Sequence, residues 1–246
     1  MGRPEKPVNR TVPARAKLAD FLRERKTRAG RTYEQMSERA GGIPSKATFE
    51  RAASGSSVPS WETVSEFINM TITEEEVSAS ALGPAFTRGL ELWIRARRAT
   101  RAPYYVHKAP DPNLISTEAD LLRALRRQHV WAGYPTPGEM ERMSGIGELP
   151  SSTTRRVIKG EVLPVDPRQT IAFLKACYVV RPIDLEPWLS AAARAHAHLG
   201  AANKWNIAHQ ELLAQTEKSQ HQEEAAPRPL RIVTLDTESP EQDMAA

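Results

Sequence analysis

The chain has 246 residues, 40% of them hydrophobic and 26% charged, with a formal net charge of +4 and one cysteine. That length holds two compact units of under about a hundred residues each plus tails. No stretch nears the ~20 apolar residues of a membrane span, no charged start with an apolar run marks a secretory signal, and Cys177, in an apolar run, forms neither an internal disulfide nor a zinc site alone. A cytoplasmic protein without membrane association is expected. From Glu211 onward eight acids face three bases, a net −5, which leaves +9 on residues 1–210. A basic body suits a polyanionic ligand, and the acidic tail suits a solubiliser or an electrostatic competitor for it.

Residues 1–14 read as a disordered basic arm. Its Gly2-Arg3-Pro4 could lie in a DNA minor groove, although a solvated end is the simpler reading. A first unit follows over 15–101. Leu18, Phe21, Leu22 and Ala29 make an apolar face at helical spacing, ended by Gly30. Thr32 and Gln35 form a capping box for a second helix, with Met36 and Ala40 inward. Gly41-Gly42-Ile43-Pro44 turns the chain. Ser45 caps a third helix, Lys46 to Ser54, stopped at Gly55. Pro59-Ser60 opens a fourth with Val64, Phe67 and Ile68 buried. Glu74-Glu75-Glu76 looks like a capped helix start, where negative charge is favoured. A last helix, about Phe86 to Arg101, carries Leu90, Trp93 and Ile94 inward and Arg88, Arg95, Arg97, Arg98 and Arg101 outward.

Residues 102–116, with Pro103, Pro110 and Pro112, read as a semi-extended linker. The opening passage then returns: Leu18 to Gly30 reappears as Leu121 to Gly133, followed in step by Thr136 and Glu139, Met140, Pro150-Ser151, Gly160 and Pro164. A repeat this long implies two similar units in tandem, the second over 117–200. Leu121, Leu125 and Ala132 mark its first helix. Pro137 at the first helical position opens the second. Ser151 to Lys159 is the third, Asp166 to Gln169 opens the fourth with a capping box, and Glu186-Pro187-Trp188-Leu189 matches Glu91-Leu92-Trp93-Ile94. The first copy carries about ten extra residues around Thr73 to Gly83. A polar helix with Trp205, Ala208, Leu212 and Leu213 on one stripe spans 201–226. It packs on the second unit or, alternatively, forms a dimer seam. Residues 227–246 read as a disordered tail whose apolar island, Leu230 to Leu235, is either a partner-docking strand or an unremarkable sticky patch.

A helix-turn-helix places its second helix in the major groove, where side chains near the N-terminal end reach base edges. Such a helix needs a cap, a tight turn before it, apolar residues inward and polar or basic ones outward. The third helix of each unit fits. In the first, Phe49 and Ala52 face the core while Lys46, Ala47, Glu50 and Arg51 face out. In the second, Thr154, Val157 and Ile158 pack while Ser151, Ser152, Thr153, Arg155, Arg156 and Lys159 face out. Arginine can bond guanine O6 and N7 with both arms. Glu50 repels phosphate but can accept from a cytosine amine, so the second unit is expected to supply more affinity. The competing reading of these charges is a solvated helix face.

Ala16 to Met70, with Thr32-Tyr-Glu-Gln-Met36, Pro44-Ser-Lys-Ala-Thr-Phe-Glu-Arg-Ala-Ala-Ser-Gly55 and Pro59-Ser-Trp61, resembles the Xre/Cro/phage-repressor helix-turn-helix family, in particular the actinobacterial versions that begin as Gly2 to Pro7 do here. The second unit resembles it less closely, Gly138 and Pro150 being unusual. The first departs by one extra residue in the turn and by Glu50. The resemblance implies a five-helix repressor-like fold and sequence-specific DNA binding, in a family that also contains members acting through protein partners.

The expectation is therefore an all-α chain: two tandem repressor-like helix-turn-helix bundles, a flexible N-terminal arm, a C-terminal helix and a disordered acidic tail. Its partner is double-stranded DNA, contacted through Thr32, Gln35, Ser45, Lys46, Ala47, Glu50, Arg51, Ser151, Ser152, Thr153, Arg155, Arg156 and Lys159. A protein partner at the tail and a homodimer stay open. No cofactor, metal or enzyme activity is expected: His196 and His198 point apart on a helix, and no phosphate loop or nucleophile set is present. The rival reading is a protein adaptor with DNA contact weak or lost, and a third is a nucleoid or plasmid-maintenance protein coating DNA.

Overall fold

The computed structural model describes residues 5–78, 82–145, 147–164, 166–197, 203–211 and 213–214. Regular structure among them is helical throughout: α1 (Pro13–Arg28), α2 (Tyr33–Arg39), α3 (Lys46–Ala52), α4 (Trp61–Met70), α5 (Glu74–Ser78), α6 (Leu82–Arg101), α7 (Glu118–Trp131), α8 (Pro137–Ser144), α9 (Ser151–Lys159), α10 (Pro167–Ala176) and α11 (Pro182–Ala195), with one 3-10 turn at Pro112–Leu114. Residues 203–211 are helical as well. No strand occurs among the described residues, and the chain is all-α.

Caps decide where most of these helices begin. Thr32 and Gln35 exchange side-chain and backbone bonds at the start of α2, as do Thr117 and Asp120 at α7 and Thr136 and Glu139 at α8. Each box satisfies two amides that the first turn leaves without intrahelical partners. Ser45, Ser60 and Asp166 accept from the third residue of α3, α4 and α10. The expected cap of α9 is not formed. Ser151 is itself the first helical residue, Pro150 holds the cap position, and Pro150 has no side-chain donor or acceptor. The helix α3 ends at Ala52, two residues earlier than its sequence suggested, and Ser54 belongs to the turn into Gly55. At Gly55 φ is +73° and a Cβ would stand 2.7 Å from the Asn9 carbonyl oxygen, so both backbone and space demand glycine there.

Two clusters of buried side chains form. One gathers Leu18, Leu22, Met36, Phe49, Phe67, Ile68 and Trp93, with Phe67 edge-on to Phe49 at 5.5 Å and to Tyr33 at 6.2 Å. The other gathers Leu121, Leu125, Met140, Val157, Phe173, Leu174, Leu189 and Trp205. Each fully buried Leu or Phe contributes about 1.5–3 kcal/mol of transfer free energy. Cys177 lies in the second cluster, and burial pushes its thiol well above the ordinary range. Trp205 stacks on His196 at 5.1 Å, which seats residues 203–211 against α11. Leu212, His198 and the segment 230–235 lie outside the described residues.

Polar ties repeat between the two sets of helices. From α1, Arg23 donates to the carbonyl of Ala53, the residue that caps the C-terminal end of α3. From α7, Arg126 donates to the carbonyl of Ile158 in the last turn of α9. Two residues further on, Arg25 donates to the carbonyl of Thr71, which caps the end of α4, and Gln128 to that of Cys177, which caps the end of α10. The spacings match the sequence repeat, in which Leu18 aligns with Leu121. The extra residues of the first copy hold α5, where Thr73 accepts from the Glu76 amide and Glu76 pairs with the buried Arg25 at 2.8 Å.

Two expectations need correction. Residues 5–12 are not helical, but they are tied down rather than free: Glu5 pairs with Arg23 and Lys26 and accepts from the Tyr33 hydroxyl, Arg10 pairs with Asp20, and the Asn9 amide donates to Ser54. Gly2 to Pro4 lie outside the described residues. Arg97 and Arg98 are not on the outer face of α6. They are 5% and 8% exposed because α7 and α8 pack over the end of that helix. Arg88, Arg95 and Arg101 are exposed as expected. The linker also contributes to packing, since Ile115 is buried in the second cluster and Arg194 donates to the carbonyls of Pro112 and Ile115.

Candidate nucleic-acid interface

The pairs α2–α3 and α8–α9 each consist of a capped helix, a turn and a short second helix. Burial orients the second helix of each pair. Phe49 and Ala52 anchor α3, while Ser45, Lys46, Ala47, Glu50 and Arg51 are exposed. Thr154 and Val157 anchor α9, with Ile158 packed beside them. Ser152, Arg155, Arg156 and Lys159 are exposed, and Ser151 and Thr153 are half-buried. Arg126 is placed to interact with the carbonyl end of α9, where a cation is favoured. Arg23 does the same for α3. These two arginines were not among the residues selected from the sequence. The repeat alignment, which puts an arginine at both positions, was the available signal.

The two exposed faces differ in charge. On the first, Lys46 meets Glu34 at 2.6 Å, and that hydrogen bond holds its ammonium above the ordinary lysine range. Glu38 and Glu50 are exposed nearby in sequence, and Arg51 donates to the Thr48 hydroxyl. Thr32 and Gln35 are exposed at the start of α2. Their cap uses the Gln35 carbonyl oxygen, at 2.9 Å from the Thr32 amide, and leaves the Gln35 amide nitrogen to donate outward. On the second face α9 has no acid. Arg156 and Lys159 lie 3.6 and 3.7 Å from Glu161 but keep 60% and 62% of their side-chain surface. Arg155 has no ion-pair partner among the described residues. Such a surface offers donors and positive charge to phosphates or base edges.

Among the described residues no helix is long and apolar enough to cross a membrane, and no group of three or more His, Cys, Asp or Glu side chains gathers as metal ligands would. The architecture is thus that of a helical protein presenting a helix-turn-helix. Residues 17–78, which run from within α1 to the end of α5, match the family model of a helix-turn-helix domain. No curated protein and no solved structure matches the chain.

Proposed function

We propose that the protein is a sequence-specific DNA-binding transcriptional regulator with two helix-turn-helix modules, one over 15–101 and one over 117–200, joined by 102–116 and acting in the cytoplasm on the nucleoid. The observation that carries this reading is the exposed, acid-free face of α9, with Arg155, Arg156 and Lys159 outward while Thr154 and Val157 hold the helix to its core. The matched family model supports the first module. The paired ties from Arg23 and Arg126, and from Arg25 and Gln128, support descent of the second from the same plan. The sequence resemblance to the Xre/Cro type belongs with this proposal.

In this reading α3 and α9 enter successive major-groove segments, and Thr32 and Gln35 brace on the backbone. Exposed Arg88, Arg95 and Arg101 add phosphate contacts that weaken with salt. The test is enrichment of duplexes from a random pool, followed by titration against salt. A defined motif is expected, and replacing Arg155 and Arg156 with Ala should abolish discrimination between motif and random duplex. Variants that select as the parent does would reject α9 as the reading helix.

A second reading has its own observation. The first unit's face carries exposed Glu34, Glu38 and Glu50, with the Lys46 charge engaged by Glu34 and Ile43 84% exposed beside it. That surface suits a protein partner better than a phosphate chain. An adaptor would not be retained on DNA at moderate salt and would co-purify with a protein. A DNA-coating protein would instead bind all sequences alike.

A further inference from the structure

We infer that Arg97 fixes the register between the two reading helices, so that the protein accepts its two DNA subsites at one separation only. This rests on the two-module DNA reading above.

The observations lie where α6 meets the second unit. Arg97 is nearly fully buried and all three of its guanidinium nitrogens donate across the junction: Nε to the Gly133 carbonyl at 3.0 Å, Nη1 to Glu139 at 3.2 Å, and Nη2 to the Tyr134 carbonyl at 3.2 Å and to Glu139 at 2.8 Å. Glu139 is the residue that closes the capping box of α8, the helix that precedes α9. Arg97 therefore grips the second helix-turn-helix at its first turn, not at a mobile periphery. The same guanidinium stacks on Trp93 at 4.5 Å, and the Trp93 ring meets Tyr178 edge-on at 5.7 Å. Arg98 lies over the Trp131 ring at 3.8 Å.

Backbone conformation at the junction points the same way. Tyr134 and Tyr178 are the non-glycine residues with positive φ among the described residues, at +56° and +63°; the Tyr134 carbonyl accepts from Arg97 and the Tyr178 ring meets Trp93, both on α6. Side chains are held in that region only where surroundings over-determine them. At Gly133 a Cβ would stand 3.0 Å from the Arg97 Cβ and 3.2 Å from the Ile94 carbonyl oxygen, so the turn before α8 lies directly on α6, within reach of the Arg97 side chain. Planar, multidentate geometry of this kind is specific to arginine. A chain whose modules hung on the linker alone would reach many separations. One clamped through Arg97 presents α3 and α9 as a single body.

The full chain is used to enrich duplexes from a random pool, and the expected product holds two sub-motifs at a single separation. Inserting two base pairs between them, or about five, which is half of the ~10.5-base-pair turn, then weakens wild-type binding by about tenfold or more. With Arg97→Met or Glu139→Gln the same insertions weaken binding by about threefold or less, while affinity for a duplex with one sub-motif stays at the wild-type value. Glutamine also closes a capping box, so Glu139→Gln keeps α8 and carries the test should Arg97→Met fail to fold. Wild-type binding at all separations alike, or single-separation preference in both variants, overturns the inference. A loss of single-sub-motif binding with separation preference intact shows Arg97 to be merely structural and overturns it too. Enrichment of one sub-motif alone rejects the register and leaves DNA binding standing. A pool with no enrichment rejects the DNA reading itself.

Discussion

Glu139→Gln should destabilise the protein at neutral pH by about 1–2 kcal/mol, with a gap that closes in acid. Burial raises the Glu139 carboxyl. The hydrogen bond from Arg97, that from the Thr136 amide and the charge of Arg97 more than offset it, leaving the group at about 2 against an ordinary 4.5. A displacement of that size corresponds to roughly 3 kcal/mol if fully expressed. The side chain keeps 31% of its surface exposed, and solvent screening lowers the figure to the stated range. Because the folded value lies below the unfolded one, the stabilisation is complete above about pH 4.5 and is lost as pH falls toward 2. Urea unfolding of both chains, followed by far-ultraviolet circular dichroism at pH 7, 5, 4 and 3, measures the gap directly. A gap constant from pH 7 to 3, or no gap at pH 7, would show that the Glu139 charge does not stabilise the fold.

Other perturbations probe the bundle and the proposed reading helix. Glu76→Ala leaves the Arg25 guanidinium buried, hydrogen-bonded to Thr71 but without a counter-charge, and thermal unfolding should report a loss of about 3 kcal/mol. Gly89→Ala puts a Cβ 2.5 Å from Ile68 Cδ1 in the core, so overpacking of about 1–3 kcal/mol should outweigh the helix gain of about 1 kcal/mol. Gly83→Ala meets nothing within 4 Å and should not destabilise; equal melting shifts for the two would contradict this packing argument. Glu161→Gln releases Arg156 and Lys159 and should tighten DNA binding severalfold at low salt, an effect that added salt erases. Arg126→Ala removes a side chain that anchors the end of α9, and weaker motif discrimination at unchanged helix content is the expected result.

What the sequence disclosed was mostly local. Thr32 with Gln35, and Thr136 with Glu139, announce helix starts because a capping box is closed within four residues. Phe67 and Leu125 announce cores because they fall on the apolar face that helical spacing sets out. Arg97 and Arg98 were misread because charge is a poor guide to burial when the covering element lies some forty residues on and supplies the partners, as Gly133, Tyr134 and Glu139 do. One cue was present: Arg97 follows Trp93 by four residues and so shares its inward stripe. The bounds of α9, Ser151 to Lys159, were legible, but its cap was not: Pro150 holds the preceding position and has no side chain that could accept from the first turn.

The linker has an unexpected standing in this arrangement. Tyr104 and Val106 are almost wholly accessible, at 99% and 89%, whereas the surfaces that Trp93, Arg97 and Arg98 share with Trp131, Gly133 and Tyr178 are closed. A protease that nicks the chain after Tyr104 should thus sever a bond without separating the halves. The two fragments are expected to travel together through gel filtration, as though covalent continuity between the bundles had become redundant once they met.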